Sequence, residues 1–254
     1  MYQIDSLQVV RQGRTLLDIP RLSLPAQGLT VILGHNGSGK STLMKLLAGQ
    51  AAPDRGSVLL DGRPLAAYRP RELARRVAYM PQQIPQTHML AVRELVELGR
   101  FAWRGWLQRW RHDDRRLVQQ ALRETGVEHL ARHCLDEISG GERQRAWLAM
   151  LLAQGSPLLL LDEPSSALDL AHQYGMLQLL RGLADRHACA VIAILHDLNL
   201  ALRHADRIIA LQRGAIWFDG SPAGLLAHPR LAELYGIELD IVHRAGKHPV
   251  AVVA

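Results

Sequence analysis

The sequence predicts an α/β fold with a mainly parallel sheet. Short apolar runs that are typical of buried strands occur at residues 29–33, 158–161 and 190–195. The first run leads into a glycine-rich loop at residues 34–39 and then into a helical pattern that starts at Ser41. Strands that alternate with helices in this way indicate parallel strands joined by crossover helices.

The remaining patterns divide the chain into three stretches. Strands and helices alternate up to about residue 83 and again from residue 157 to about 236. Between these stretches the pattern predicts three helices, at residues 91–98, 115–125 and 142–154. Residues 76–79 are typical of an edge strand and residues 250–253 of a closing strand. We therefore expect a helical part inserted between two parts of an α/β core.

The glycine-rich loop has the composition of a phosphate site. Residues 34–41 read Gly-His-Asn-Gly-Ser-Gly-Lys-Ser and fit the pattern G-x-x-x-x-G-K-[ST] in full. Glycines let backbone N–H groups approach phosphates closely, Lys40 would reach the β- and γ-phosphates, and Ser41 would ligate Mg²⁺. The alternative is a strand-to-helix turn with a chance lysine. The predicted phosphate-binding residues are Gly34, His35, Asn36, Gly37, Ser38, Gly39, Lys40, Ser41 and Thr42.

Three further polar residues follow predicted strands at the ends where a ligand of a parallel sheet would lie. Asp162 and Glu163 come directly after the apolar run 158–161, and His196 follows the run 190–195. Asp162 is predicted to hold Mg²⁺, Glu163 to polarise an attacking water, and His196 to donate a hydrogen bond to a γ-phosphate. A solvated acidic loop and a histidine without a catalytic role are the alternatives.

A second phosphate-binding surface is predicted at the start of the helix 142–154. Ser139, Gly140, Gly141 and Glu142 form this helix entry. A helix start presents free backbone N–H groups and the positive end of the helix dipole, which together attract a phosphate. Because serine and glycine also form ordinary helix-entry loops, this motif is weak on its own.

These motifs resemble, in order and spacing, the ATP-binding subunits of ABC transporters over nearly the whole chain. The resemblance implies a P-loop NTPase core, an antiparallel N-terminal β part and an inserted helical subdomain. It places the ATP-binding domain at residues 2–236, the helical subdomain at about 84–156, and a short C-terminal extension at 237–254. In this family the motif corresponding to residues 139–142 binds ATP held by the other subunit, which implies a head-to-tail homodimer.

Two smaller motifs extend the resemblance. Gln82, within Met-Pro-Gln-Gln at residues 80–83, is similar to the family's Q-loop glutamine, which implies contact with Mg²⁺ or the lytic water; Gln83 is the alternative. Asp169 corresponds to the D-loop aspartate, which implies support of the facing active site. Many relatives stack adenine on an aromatic residue upstream of the phosphate loop. Residues 9–14 contain none, so no adenine-binding residue is predicted.

Composition agrees with a cytoplasmic subunit, and the family resemblance implies a peripheral position on the cytoplasmic face of the bacterial inner membrane. The 254 residues include only two cysteines, and we expect neither a signal peptide nor a membrane helix. The net charge of +6 permits nucleic-acid binding. However, tryptophan and arginine residues concentrate at 100–111, after the Q-loop motif, where a membrane partner or an anionic membrane surface is expected. Half-buried tryptophans are the alternative there, and no nucleic acid is expected.

The cargo prediction depends on likeness alone, because the transported molecule never contacts this subunit. Residues 77–83 and 91–100 resemble the siderophore, haem and cobalamin uptake group. Within that group, residues 139–151 and 168–173 resemble the ATPase of ferric-hydroxamate importers. This resemblance implies ATP-driven uptake of an iron(III)-hydroxamate siderophore, with a polytopic permease and, indirectly, a periplasmic or lipoprotein substrate-binding protein. An importer of haem, cobalamin, a catecholate siderophore or zinc is the alternative, followed by a soluble, non-transport ABC ATPase.

Overall fold

A computed structural model describes residues 1–85, 89–104, 110–166, 168–243 and 248–254. The strands are β1 (Tyr2–Arg11), β2 (Arg14–Leu24), β3 (Gly28–Leu33), β4 (Arg55–Leu60), β5 (Arg63–Pro64), β6 (Val77–Met80), β7 (Leu158–Leu161), β8 (Ala190–Ile194), β9 (Arg207–Gln212), β10 (Ala215–Gly220), β11 (Leu239–Val242) and β12 (Val250–Val253). The helices are α1 (Lys40–Leu47), α2 (Pro70–Ala74), α3 (Val92–Leu98), α4 (His112–Glu124), α5 (Gly140–Gln154), α6 (Leu170–His187), α7 (Leu198–His204), α8 (Pro222–Leu226) and α9 (Leu231–Tyr235).

The central sheet is mainly parallel, as predicted. Its strand order is β10-β9-β3-β8-β7-β6, in which β6, β7, β8, β3 and β9 run parallel and β10 is antiparallel to β9. The predicted edge strand is β6, at one end of the sheet. Because the carboxyl ends of parallel strands meet at one edge, the loops after β3, β6, β7 and β8 lie together there.

Alternating side chains of the central sheet contribute to two layers of core. In β3, Leu29 and Val31 pack with α5 and α6, whereas Ile32 packs with α1 and the N-terminal strands. Those N-terminal strands form a second, four-stranded antiparallel sheet in the order β2-β1-β4-β5. The antiparallel N-terminal part implied by the family resemblance is therefore present.

The helices α3, α4 and α5 form a separate cluster around Val92, Leu122 and Ala146. Two of these helices begin earlier than predicted. The α4 helix begins at His112 rather than at residue 115, because the side chain of Asp114 accepts a hydrogen bond from the Arg111 N–H. The α5 helix begins at Gly140 rather than at residue 142, because the serine before it is the N-cap. The subdomain boundary at residues 84 and 156 stays a prediction.

The predicted strand at residues 250–253 is β12, which pairs with β11 in a two-stranded antiparallel ribbon. This ribbon packs on the core through Ala251, which is buried. The division of the chain at residue 236 stays a prediction. Residues 105–109 of the tryptophan- and arginine-rich stretch lie outside the described residues, as does Ala167. Within the described ranges no helix is long and apolar enough to cross a bilayer.

Candidate functional site: a phosphate loop and an acidic strand end

The loop between β3 and α1 forms a cradle that requires its glycines. Gly34 has a φ of 145°, and a Cβ there would lie 2.3 Å from the carbonyl oxygen of Leu211. Gly39 has a φ of 102°, and a Cβ there would lie 2.5 Å from Cδ2 of Leu17. Any other residue would be strained and would clash at both positions. The conformation and close packing of this loop therefore require glycine at both positions.

The buried ammonium group of Lys40 lies inside the cradle. Lys40 is 5% exposed, and its Nζ donates to the carbonyl oxygens of Gly34 at 2.8 Å and His35 at 2.9 Å. The buried hydroxyl of Ser38 has no hydrogen-bond partner among the described residues. A phosphate would accept hydrogen bonds from both side chains, so these residues fit a nucleotide phosphate. His35, Asn36 and Gly37 form the exposed tip of the loop, and Thr42 is partly buried on the first turn of α1.

Ser41 and Asp162 lie together beside the cradle. The Ser41 Oγ donates to Oδ1 of Asp162 at 3.2 Å, and Asp162 is 2% exposed at the end of β7. Burial raises the pKa of Asp162, the Ser41 hydrogen bond opposes this shift, and the Glu163 carboxylate adds to it. Burial also lowers the pKa of Lys40, and these two carboxylates oppose that shift.

This hydroxyl and carboxylate fit Mg²⁺, which proteins commonly bind through one or two side chains together with substrate phosphates. A buried carboxylate with a raised pKa would be stabilised by a divalent cation beside it. Within the described part of the chain there is no group of three or more histidine, cysteine or acidic side chains arranged to hold a metal ion. Phosphate oxygens and water molecules are the other ligands that Mg²⁺ would take at such a site.

Glu163 connects three of the predicted site residues. Its Oε2 accepts a hydrogen bond from Nε2 of Gln82 at 2.8 Å, and its Oε1 lies 2.7 Å from Nε2 of His196. The Glu163 side chain is 10% exposed, whereas that of His196 is 44% exposed. The residues predicted after β6, β7 and β8 therefore meet at one carboxylate. The contact supports Gln82 over Gln83 as the Q-loop glutamine.

The second predicted phosphate surface lies at the exposed start of α5. The backbone N–H of Glu142 donates to Oγ of Ser139 at 3.3 Å, and a Glu142 carboxylate oxygen accepts from the Ser139 N–H at 2.9 Å. Ser139 and Gly140 are exposed, so the first N–H groups of the helix are accessible. The Ser139 hydrogen bonds lower the pKa of Glu142.

The predicted Asp169 borders this second surface. A Cβ built on Gly141 would lie 3.3 Å from Leu168 and 3.5 Å from the ring of His172. Asp169 caps α6 by accepting from the His172 N–H at 2.9 Å, and it also contacts the His172 ring nitrogen Nδ1 at 2.7 Å. One chain therefore carries the Lys40 cradle on its core and the Ser139 surface on its helical cluster.

A cavity of about 360 Å³ opens beside the carboxyl ends of β7 and β8, and sequence patterns did not predict it. The residues that line it include Glu163, Ser166, Gln173, His196, Asp197 and Leu200. A further residue absent from the predictions is Tyr235, whose ring lies 6.1 Å from that of His35 in the cradle. No local motif marks this tyrosine, because the contact joins distant parts of the chain.

Comparison with known proteins decides the family. A model described as ABC transporter matches residues 17–166, which is more than half of the chain and includes the cradle, the α5 start and the Asp162–Glu163 strand end. The chain belongs to the ABC transporter family. It is an ATP-binding subunit with the ATPase activity of that family.

Relatives of this ABC ATPase cover most of its length. It is 41% identical to the achromobactin transport ATP-binding protein of Dickeya dadantii, over 91% of this chain and 86% of the relative. It is 41% identical to a hemin import ATP-binding protein of Pseudomonas putida, over 99% of both chains. It is 37% identical to the iron(3+)-hydroxamate import ATP-binding protein of Bacillus subtilis, over 90% of this chain and 85% of the relative.

Solved structures support the same assignment. An inward-facing metal-chelate type ABC transporter matches with a TM-score of 0.84 and 26% identity, over 99% of this chain and 97% of that chain. A dimeric ATP-binding cassette in a post-hydrolysis state, bound to ADP and phosphate, matches with a TM-score of 0.77 and 27% identity, over 87% and 99%. The predicted ABC ATPase fold is therefore confirmed.

Proposed function

We propose that this chain is the ATP-hydrolysing subunit of a bacterial inner-membrane importer of an iron(III)-siderophore complex or haem. The observation that carries the ATPase part is the Glu163 carboxylate, which contacts Gln82 and His196 directly after the buried Asp162. A base, an orienting amide and a hydrogen-bond donor beside a phosphate loop are the groups that hydrolysis of a phosphoanhydride requires.

Each side chain has a defined part in the proposed reaction. Lys40 and the backbone N–H groups of the cradle bind the β- and γ-phosphates, and Ser41 and Asp162, with Gln82, would hold Mg²⁺. When bound, Mg²⁺ supplies positive charge that offsets the charge of the phosphate oxygens. Glu163 accepts a proton from the attacking water, and His196 donates a hydrogen bond to the γ-phosphate.

The proposed reaction requires two copies of the chain arranged head to tail. Residues 34–42 of one copy and residues 139–142 of the other would enclose each ATP, with Asp169 supporting the facing site. The exposed helix start at Ser139 supports this arrangement, because its free N–H groups are accessible to a phosphate from outside the chain. The dimeric cassette among the similar structures supports it as well.

The proposed location is the cytoplasmic face of the inner membrane, beside a polytopic permease that works indirectly with a periplasmic or lipoprotein substrate-binding protein. Exposed aromatic side chains near the Q-loop motif support a protein interface there. Phe101 is 66% exposed and Trp103 is 39% exposed, and the guanidinium groups of Arg71 and Arg75 lie over these two rings. We propose no nucleic-acid partner.

The finer proposal for the cargo is an iron(III)-hydroxamate siderophore. It is supported by the likeness of residues 139–151 and 168–173 to ferric-hydroxamate importer ATPases and by the hydroxamate relative at 37% identity. Haem is the second candidate, because the hemin import relative is 41% identical over 99% of both chains. A catecholate siderophore is a further alternative, since the ferric enterobactin transport relative is 39% identical.

Uptake by a deletion strain tests this proposal. Cells that lack the gene would receive the wild-type chain, Glu163→Gln or the matched control Glu128→Gln, whose carboxylate is exposed on the helical cluster. The wild type and the control should restore accumulation of radiolabelled ferrichrome, and Glu163→Gln should not. If the wild-type chain restores growth on haemin but not uptake of ferrichrome, the proposed cargo becomes haem instead of a hydroxamate siderophore. Normal uptake of all these iron sources in the deletion strain would contradict the importer proposal.

A further inference from the structure

The C-terminal segment, defined as the described residues from 231 to 253, is anchored to the core in two ways. The segment packs on the core through apolar contacts, because the side chains of Leu231, Leu234 and Ala251 are buried in the main core cluster. In addition, the segment makes specific contacts with the phosphate cradle and with the helix that follows His196. Covering an apolar core would not require these polar and aromatic contacts.

The first specific contact joins α9 to the phosphate cradle. The ring of Tyr235 meets the ring of His35 edge-on, with centroids 6.1 Å apart and an interplanar angle of 62°. Nε2 of Gln212 donates to the Glu233 carbonyl at 3.1 Å, which ties α9 to the end of β9. The preceding residue of β9, Leu211, has the carbonyl oxygen that abuts Gly34. The helix α9 therefore contacts the cradle at His35 and, through Gln212, the end of β9 beside Gly34.

The second specific contact joins β12 to the helix that follows His196. Nδ2 of Asn199 donates to the Ala251 carbonyl at 2.9 Å, and the Ala251 N–H donates to Oδ1 of Asn199 at 2.8 Å. Asn199 lies in the first turn of α7, and Asp197 caps that helix by accepting from the Leu200 N–H at 2.9 Å. His196 therefore lies just before the start of a helix whose first turn is hydrogen-bonded to β12.

We propose that the C-terminal segment is a brace for the hydrolysis site and that Asn199 is a positioning residue that acts through His196. The proposal rests on the role proposed above for His196 as the hydrogen-bond donor to the γ-phosphate. The reciprocal pair uses both hydrogen-bonding groups of one amide on one peptide backbone, so it fixes both the distance and the orientation of α7 relative to the ribbon. Small displacements of a catalytic group are costly to rate, whereas phosphate binding depends on the cradle.

The test substitution is Asn199→Ala, which removes both hydrogen bonds between α7 and the Ala251 backbone. We expect kcat for ATP hydrolysis to fall about tenfold while the Kd for ATP changes less than about twofold. Asp240→Asn is the matched control, because this exposed residue of β11 belongs to the same segment and pairs with Val252 rather than with Ala251; the variant should hydrolyse ATP at the wild-type rate.

A double-mutant cycle separates positioning from stability. If Asn199 acts through His196, adding Asn199→Ala to His196→Ala should change kcat less than about twofold, because the group being positioned is already absent. If Asn199→Ala is misfolded, as judged by loss of cooperative unfolding, Asn199→Asp is used instead. An aspartate keeps the acceptor for the Ala251 N–H but loses the donor to the Ala251 carbonyl. That variant should lose part of the rate.

The outcomes distinguish the brace from the proposed function. If Asn199→Ala hydrolyses ATP at the wild-type rate and His196→Ala does not, the brace proposal is wrong and the role of His196 stands. An equal loss of rate from Asn199→Ala in both backgrounds also overturns the brace, because it indicates independent action. Wild-type hydrolysis by His196→Ala overturns the role of His196 itself, and the positioning claim with it.

Discussion

Glu163 has a left-handed backbone conformation, and both of its carboxylate oxygens contact other side chains. Its φ of 54° lies in the left-handed region, which costs a non-glycine residue about 1–3 kcal/mol. The contacts with Gln82 and His196 occupy both carboxylate oxygens and hold this conformation at the end of β7. Strain of this kind is retained where the surroundings require one side-chain direction, which agrees with the proposed role as base.

Glu163→Gln should separate ATP binding from hydrolysis. An amide of the same shape can hydrogen-bond to water but cannot accept its proton, so hydrolysis should fall by about 10²- to 10⁴-fold. The cradle around Lys40 is untouched, so the Kd for ATP should stay within about threefold of wild type. Phosphate release and binding of a fluorescent ATP analogue measure the two quantities. An active Glu163→Gln, with Glu128→Gln at wild-type activity, would show that Glu163 is not the base.

Ser139→Arg should abolish hydrolysis without preventing ATP binding to the single chain, because the arginine fills the surface proposed to meet the partner's ATP. Ser221→Arg is the matched control, since Ser221 caps α8 in the same way by accepting from the Gly224 N–H at 3.1 Å. Loss of either N-cap should cost about 1 kcal/mol of stability. Denaturant unfolding and phosphate release compare the pair. Equal hydrolysis by the two variants would contradict a role for Ser139 at the nucleotide.

At this scale the sequence predicted the residues that lie in contiguous motifs. The cradle, the Asp162–Glu163 strand end and the α5 start each follow from local chemistry. The contact between Asn199 and Ala251 could not be predicted, because it depends on the path of the C-terminal segment between them. The same holds for Tyr235 and His35, which no spacing rule connects.

At the scale of elements, buried polar contacts decide where helices begin and how they join the core. Asp114, at the start of α4, pairs with Arg100 at 2.9 Å, and both side chains are less than 10% exposed. Asp114 also accepts a hydrogen bond from the Arg111 N–H, which begins the helix at His112. Hydrophobic periodicity carries no information about this cap, so the predicted start of α4 was late. The parallel sheet and the three helices were predictable because their apolar patterns reflect burial directly.

Glu124, the last residue of α4, connects the helical cluster to α6. Its carboxylate contacts Nε2 of His187 at 2.7 Å and accepts from Nε2 of Gln120 at 2.6 Å. Burial raises the pKa of Glu124, but the bonds from His187 and Gln120 outweigh it and lower the pKa below its usual range. Because the folded-state pKa is lowered, ionised Glu124 stabilises the fold above the usual glutamate pKa of about 4.3. This contribution is lost as the pH falls through the folded-state value.

We therefore expect Glu124→Gln to be less stable than wild type at about pH 6, with a difference that shrinks below about pH 4. Urea unfolding of both chains across this range measures the difference in free energy of unfolding. A difference that grows as the pH falls, or that does not change with pH, would contradict the assignment.

At the scale of the whole molecule, the two phosphate surfaces belong to different parts of one chain. The Lys40 cradle is built on the central sheet, and the Ser139 surface is built on the α3–α5 cluster. The sequence could predict both surfaces, and family resemblance supplied the idea that they act across two copies. The arrangement of those copies cannot be derived from one chain, because it depends on contacts between molecules.

The central claim is that ATP joins two copies of the chain by bridging these surfaces. Size-exclusion chromatography with light scattering of Glu163→Gln tests it most directly, because slow hydrolysis preserves the ATP-bound state. With ATP and Mg²⁺ the variant should have twice the monomer mass, and without ATP it should be monomeric. Glu163→Gln combined with Ser139→Arg should stay monomeric while still binding ATP. A Glu163→Gln chain that stays monomeric at saturating ATP, or a double variant that still dimerises, would contradict the account.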